Sequence, residues 1–260
     1  MIEVMISVRD SYDPGVSVDG AGPPMVCVPG MDGTGKLFYR QTPILARDYR
    51  VATYALRDTT SEMGTLIDDL AGVIRSISPS NEPAIILGES FGGTLALSFA
   101  LQRPELVRAL VIVNSFPYFR PQTRLRVVIS TLQVFPWKAM TLVRQFTATR
   151  LHSQFTHRDE IRRFLKLTAE TTRRGYLNRL RILKHYDVRD QLHQINVPTL
   201  LLAAEEDHLV PSVEQAQYMA ERLPRATSRV LHGHGHICLI APNINLGNIL
   251  SDWLTSCRSA

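Results

Sequence analysis

Cysteine is scarce in this 260-residue chain: Cys27, Cys238 and Cys257 are far apart and odd in number. That spacing excludes a disulfide scaffold and the paired thiols of a structural zinc site, so they read as buried or incidental thiols in a reducing compartment. No apolar run approaches the roughly 20 residues that cross a bilayer. Residues Met1–Asp10 lack the basic start and apolar core of a secretory leader. The expectation is therefore a cytoplasmic protein. Internal repeats and low-complexity linkers are also missing. Aromatics make up only 7% of the chain, and the arginines are not interleaved with them in a way that suits nucleic acid. What remains is 45% hydrophobic and 20% charged residues, ordinary for a folded protein long enough to bury a large core.

Acidic residues are scarce in one third of the chain. Between Phe116 and Asp190 there are 16 Lys and Arg against 5 Asp and Glu, although the whole sequence is only +5. Such a block is either a solvated basic face or an attraction for anionic groups.

Outside that block, short apolar runs alternate with helical patterns. Strands are expected at Pro24–Val28, Tyr49–Leu56, Ala84–Leu87, Val107–Val113, Pro198–Ala204 and Thr227–Leu231. Ile2–Val8 is expected to add an edge strand. Helices are expected after Met63, where apolar residues recur three and four apart, and at Phe91–Leu101, Ser212–Leu223 and Asn243–Leu254. This alternation implies an α/β, doubly wound, mostly parallel sheet. The stretch 116–190 breaks it, with helical periodicity over Thr123–Arg150 and Asp159–Arg181. It reads as a helical insertion, leaving 1–115 and 191–260 as the core.

Gly88-Glu89-Ser90-Phe91-Gly92 fits Gly-x-Ser-x-Gly, directly after a buried strand and before a helix. A sharp turn there strains the serine, lifts its hydroxyl off the sheet edge and leaves no room for side chains two residues either side. Ser90 is thus the candidate nucleophile. A hydroxyl needs a base, and the base needs an orienting acid. After the strand Pro198–Ala204 comes Glu205-Glu206-Asp207-His208, in a loop off a carboxyl end. Asp207 is the preferred acid, with Glu205 and Glu206 as rivals that more readily face solvent. Leu231-His232-Gly233-His234-Gly235-His236 offers three bases. His236, freed by Gly235, is preferred over His234; a metal set is disfavoured because no further ligand clusters with them. His152, His157, His185, His193 and His208 are expected at the surface.

Developing negative charge on a carbonyl oxygen needs backbone donors. The amide of Phe91 follows the nucleophile. The loop Pro29-Gly30-Met31-Asp32-Gly33-Thr34-Gly35 supplies a second candidate, the amide of Met31, in a turn that its three glycines permit.

Pro29-Gly30-Met31, Gly88–Gly93, Asp207 and Gly235-His236, in that order, resemble the α/β-hydrolase superfamily across nearly the whole chain. More narrowly, Pro29–Gly35 and Gly88–Gly93 resemble the hydrolase-like part of plant phytyl ester synthase-type acyltransferases and their bacterial relatives. Pro29 departs from the His that many relatives carry there, and a triple-glycine motif of one lipase group is absent. The resemblance implies a catalytic triad of Ser90, Asp207 and His236, and a lid formed by the insertion. Val127, Ile129, Leu132, Val134, Phe135, Trp137 and Met140 would line an acyl pocket or pack the lid to the body. The expected reaction is carboxylic ester hydrolysis through an acyl-enzyme, on a small-molecule ester and with no cofactor or metal. An anionic or phosphate-bearing acyl donor or a lipid surface is a candidate partner for the basic lid.

Other readings stand beside this one. Acyl transfer to an alcohol and thioester cleavage use the same acyl-enzyme. Gly30–Lys36 also fits Gly-x4-Gly-Lys, the phosphate loop of nucleotide-binding proteins, but Leu37 stands where a magnesium-binding hydroxyl belongs. His185–Asp190 matches the His-x4-Asp pattern of some acyltransferases, without a supporting motif.

Overall fold

The computed structural model describes residues 12–78, 80, 82–119, 129–131, 137 and 151–259. Within them the chain builds β1 (Ser17–Asp19), β2 (Pro24–Val28), α1 (Thr42–Leu45), β3 (Arg50–Thr53), α2 (Met63–Ile77), β4 (Ala84–Glu89), α3 (Phe91–Gln102) and β5 (Val107–Val113). Then come α4 (Arg158–Thr168), α5 (Arg173–His185), β6 (Thr199–Ala204), α6 (Ser212–Ala220), β7 (Ala226–Leu231) and α7 (Leu246–Ser259).

The seven strands form one sheet in the order β1-β3-β2-β4-β5-β6-β7. Only β1 runs antiparallel, on β3; the other pairs are parallel. Strands β2, β4 and β6 are buried along their whole length, which explains their unbroken Val, Ile and Leu runs: both faces are covered. One core packs α2 and α3 with Tyr54, Leu110 and Leu201. The other packs Trp253 and Leu250 of α7 on Met25, Ile85 and Val111. Strand β7 ends the sheet, and its middle residues are exposed, as an edge strand requires.

The six strands expected from Pro24 onward are present, and the sheet is doubly wound as expected. Strand β1 was not anticipated, because Ser17-Val18-Asp19 is three exposed residues with no apolar period to betray it. The strand expected at Ile2–Val8 lies outside the described residues, as does most of Thr123–Arg150. The helix expected over Asp159–Arg181 is two helices. The break falls at Thr172, whose hydroxyl accepts from the Gly175 amide at 3.0 Å and caps α5. A side-chain cap of this kind satisfies an otherwise orphaned donor and starts a new helix.

Candidate active site

Three sheet ends and one loop converge on Ser90. Its backbone has φ 54° and ψ −118°, a conformation a non-glycine residue adopts only when its surroundings dictate it. Those surroundings are tight. The Ser90 amide donates to Val113 O at 2.9 Å, and Ser115 Oγ donates to Ser90 O at 2.7 Å. A Cβ on Gly88 would stand 2.4 Å from Gly92 O, and one on Gly92 would stand 2.1 Å from Val28 O. The glycines at these two positions therefore have a steric reason, and α3 starts immediately behind the serine.

His236 Nε2 lies 3.0 Å from Ser90 Oγ, and His236 Nδ1 lies 2.7 Å from Asp207 Oδ2. The side chains of His236 and Asp207 are 3% and 1% exposed, so bulk water does not screen the contact. Burial pushes the Asp207 carboxyl up. The His236 hydrogen bond and charge, the Ser212 hydroxyl and the Val210 amide more than reverse this, leaving it below the ordinary aspartate range. Asp207 is thus held ionised, with Leu209 N and Val210 N both 2.9 Å from Oδ1.

The rivals separate. Glu205 and Glu206 are exposed. Glu205 accepts from the Gly233 amide at 3.1 Å and lies 3.2 Å from His232 Nδ1, so it braces the histidine loop from outside. His234 is buried against Asn243 and the Phe155 ring, and desolvation holds its pKa below the usual value. The three alternating histidines thus point to three environments. Among the described residues no group of three His, Cys, Asp or Glu is arranged to hold a metal.

Phe91 is the first residue of α3, at the end where the helix dipole is positive. Met31 follows Gly30, on which a Cβ would sit 3.5 Å from Ser90 Cβ and 3.3 Å from Glu89 O. The loop thus passes directly beside the serine. Neither amide donates to any group among the described residues.

A cavity of about 330 Å³ adjoins Ser90 and His236 and is lined by Met31, Leu37, Phe164, Tyr176 and Ile237, among others. A larger hollow of about 680 Å³ lies near β1 and Lys36–Arg47 and is lined by neither Ser90 nor His236. The smaller cavity holds the reactive groups and is the candidate substrate site. Its wall includes Leu151, Phe164 and Tyr176 from the stretch between β5 and β6. Of the apolar residues expected to line an acyl pocket, only Ile129 and Trp137 are described. Ile129 is buried in the core that includes α2 and α3, and Trp137 packs on Tyr176 with ring centroids 5.8 Å apart.

Glu89 also lines this cavity. It is buried and Oε1 has no hydrogen-bond partner. Desolvation pushes its pKa up to about 7; His236 opposes the rise, while Asp32 and Asp207 add to it.

Several supporting residues carried no signal in the sequence. Asn114, with φ 48°, donates from Nδ2 to His236 O at 2.8 Å and accepts from Ala204 N at 2.7 Å. It joins the acid-bearing strand to the histidine loop. Arg179 is 1% exposed and donates to Met31 O, Asp32 O and Asp58 Oδ1. His152 corrects an expectation: it is buried, edge-on to Phe164 at 4.7 Å, and not at the surface. The apolar ring of Phe164 and the neighbouring Ile237 backbone cover it. His157, His185, His193 and His208 are exposed as expected.

The competing motifs find other uses. Lys36 pairs with Glu170, and Leu37 is a wall of the cavity. His185 and Asp190 are exposed, and neither lines the site. Several charges of the basic segment are internally matched: Arg162 with Asp159, Arg179 with Asp58, Arg189 with Asp187, and Arg163 over the Tyr39 ring. No helix among the described residues is long and apolar enough to cross a membrane.

Known proteins share this arrangement of the chain. A protein of Serratia proteamaculans named "Putative carbamate hydrolase RutD" is 27% identical over 252 residues, 92% of this chain and 93% of its own. An esterase from Thermogutta terrifontis superposes with a TM-score of 0.80 at 20% identity, covering 95% of this chain and 96% of that one. The enol-lactonase of Burkholderia xenovorans superposes at 0.79 and 17% identity, over 92% and 95%. These matches do not single out phytyl ester synthases, so the narrower likeness finds no support in them. The broad one does: the model of the alpha/beta hydrolase fold matches residues 23–241, a span that includes the strained serine, the acid, the histidine and both candidate amides, and the chain belongs to that family.

Proposed function

We propose that the protein is a serine hydrolase that cleaves small-molecule carboxylic esters through an acyl-enzyme on Ser90. The observation that carries this is one side chain: His236 reaches Ser90 Oγ with one ring nitrogen and Asp207 with the other. With Nδ1 donating to an ionised Asp207, Nε2 is free to take the serine proton.

Ser90 Oγ attacks the ester carbonyl carbon as its proton passes to His236 Nε2. The Met31 and Phe91 amides donate to the oxygen that becomes negative. When the tetrahedral intermediate collapses, His236 returns the proton to the leaving alcohol. A water then loses a proton to His236 and attacks the acyl carbon; the acid departs and Ser90 is restored. Removing a single donor of an oxyanion site typically costs about 100- to 1000-fold in rate.

The stretch 116–190 is proposed as a lid, since α4 and its flanks supply part of the cavity wall. Its basic excess suits an anionic or phosphate-bearing acyl donor or an anionic lipid surface. The unpaired thiols fit a cytoplasmic setting. The same acyl-enzyme would serve an alcohol acceptor or a thioester. Carbamates form a second substrate class, favoured by the relatives' name and by the Glu89 carboxyl, which offers an acceptor to a substrate N–H.

The test is hydrolysis of p-nitrophenyl esters of graded chain length, with alcohol acceptors, acyl-thioesters and carbamates in parallel. Turnover on short esters that vanishes in Ser90→Ala supports the reading. Wild-type turnover in Ser90→Ala would overturn it.

A further inference from the structure

The residue most at odds with its setting is Arg179. It sits on α5, inside the most basic part of the sequence, yet it is almost wholly buried. Burying a charge costs several kcal/mol unless every donor is matched, so its partners say what the burial achieves. Nε donates to Met31 O at 3.0 Å and Nη2 to Asp32 O at 3.2 Å, while Nη1 pairs with Asp58 Oδ1 at 2.9 Å. Two of three contacts are thus carbonyls of one short loop, the loop beside Ser90.

The loop's geometry turns those contacts into control of a direction. Gly33 N donates to Gly30 O at 3.1 Å. The peptide that carries Gly30 O also carries the Met31 N–H, and in a trans peptide the two point oppositely. The turn that captures Gly30 O therefore aims the Met31 N–H the other way. The next two carbonyls are held by Arg179, and Gly33 O accepts from Leu56 N at 2.8 Å. Four consecutive peptide planes are fixed. Gly33 has φ +71°, and a Cβ there would lie 2.5 Å from Arg179 Nη1, so the guanidinium packs against the turn without a gap.

Asp58 anchors the other end. Its Oδ2 accepts from Thr172 Oγ1 at 2.5 Å, and its carbonyl accepts from Asn178 Nδ2 at 2.8 Å. A Cβ on Gly175 would fall 1.7 Å from Asp58 Oδ1. The N-terminal half of α5 is thereby fastened to the loop after β3, and Arg179 is presented to residues 31 and 32 at a set height. A lysine could not reproduce this: its point charge cannot span two carbonyls and a carboxylate in one plane.

We propose that Arg179 is a positioning residue for the oxyanion site, through which the segment between β5 and β6 sets the direction of the Met31 amide. The inference rests on the reading that Ser90 forms an acyl-enzyme and that the Met31 amide stabilises its oxyanion. A purely architectural arginine would lower stability and leave the turnover of the folded fraction unchanged. A positioning arginine lowers kcat and spares KM, since the amide acts on charge present only in the transition state.

The test compares wild type, Arg179→Lys and Arg179→Ala on a p-nitrophenyl ester. Active enzyme is counted by fluorophosphonate titration, and millimolar guanidinium is added to the alanine variant. The expected result is a kcat loss of about 100-fold in Arg179→Ala, KM within about threefold, and partial recovery with guanidinium. Arg179→Lys falls between the two. Trifluoromethyl ketone inhibition, which forms an oxyanion, weakens in step with kcat. Unchanged kcat per titrated site in Arg179→Ala, or a loss that neither Lys nor guanidinium relieves, would overturn the proposal. An inactive wild type that fails to take the fluorophosphonate would instead refute the acyl-enzyme reading on which it depends.

Discussion

Asn114 Nδ2 donates to the carbonyl oxygen of His236 at 2.8 Å, while its Oδ1 accepts from Ala204 N at 2.7 Å. The end of β5 therefore fixes the histidine loop from the backbone side, and the same amide fixes the strand that delivers Asp207. Asn114→Ala removes both bonds and leaves a buried N–H and a buried C=O unpaired. It also places alanine at φ 48°. The expected cost is about 2–4 kcal/mol of stability, with kcat down about 10- to 100-fold as His236 loses its support. Chemical denaturation and steady-state kinetics on the same preparation check it. Asn114→Asp keeps an acceptor for Ala204 N but turns a carboxylate oxygen toward the buried His236 carbonyl, so its stability loss should be at least as large.

Glu89 makes stability depend on pH. Its folded-state pKa, about 7, lies above the ordinary carboxylate value that the unfolded chain shows. The folded protein therefore holds a proton that the unfolded chain has released. The contribution is fully present below about pH 4.5 and is lost as pH rises to about 7, amounting to about 3 kcal/mol. Glu89→Gln cannot ionise, and its melting temperature should fall less between pH 5 and pH 8 than that of wild type. Melting curves of both proteins across that range decide it; parallel curves would exclude a buried neutral acid.

The steric logic of the serine turn is testable at Gly92. A Cβ there would approach Val28 O to 2.1 Å and Pro29 O to 2.8 Å, and both are backbone atoms that no side-chain rotation can move aside. Gly92→Ala should cost about 3 kcal/mol or more and yield little soluble protein. Gly64→Ala, where nothing lies within 4 Å of the added carbon, should be tolerated and slightly stabilising, by about 0.5–1 kcal/mol. Expression yield and melting temperature of the pair separate a constraint of the turn from a general intolerance of alanine.

The principal site residues were legible because their chemistry dictates local signals. Ser90 needs glycines at fixed offsets after an apolar strand, and Asp207 and His236 need loops off strand ends in chain order. Asn114 and Arg179 left no such trace. Most of their partners are backbone carbonyls or amides far along the chain, 148 residues away for Arg179 and Met31, and a carbonyl has no sequence identity to read. Composition even misdirects: Arg179 belongs to a basic stretch whose charge suggests solvent or an anion, yet it is spent on the loop at 31–32. His152 was expected outside for a similar reason. Its burial comes from the fold, against the Phe164 ring and beside the Ile237 backbone, which nothing in its own sequence neighbourhood marks. Strands β2, β4 and β6 were readable because full burial demands unbroken apolar runs, and β1 escaped because its three residues are exposed.

Asp207 holds His236 through Oδ2, which also accepts from the Ser212 hydroxyl, while Oδ1 takes two backbone amides. Asp207→Asn keeps an acceptor for those amides but no longer stabilises a charged imidazole. The fold should persist, with kcat lowered by about 1000- to 10,000-fold. A near-wild-type rate would show that one of the neighbouring acids, Glu205 or Glu206, can take its place.

Covalent capture of the nucleophile tests the central claim most directly. The protein is treated with a fluorophosphonate and, separately, acid-quenched during turnover of a slowly deacylated p-nitrophenyl ester; the modified residue is then located by peptide mass spectrometry. The predicted result is a single adduct on Ser90 in both experiments, strongly slowed in His236→Ala and absent in Ser90→Ala. An adduct on another residue, or labelling of Ser90 at the wild-type rate without His236, would contradict it.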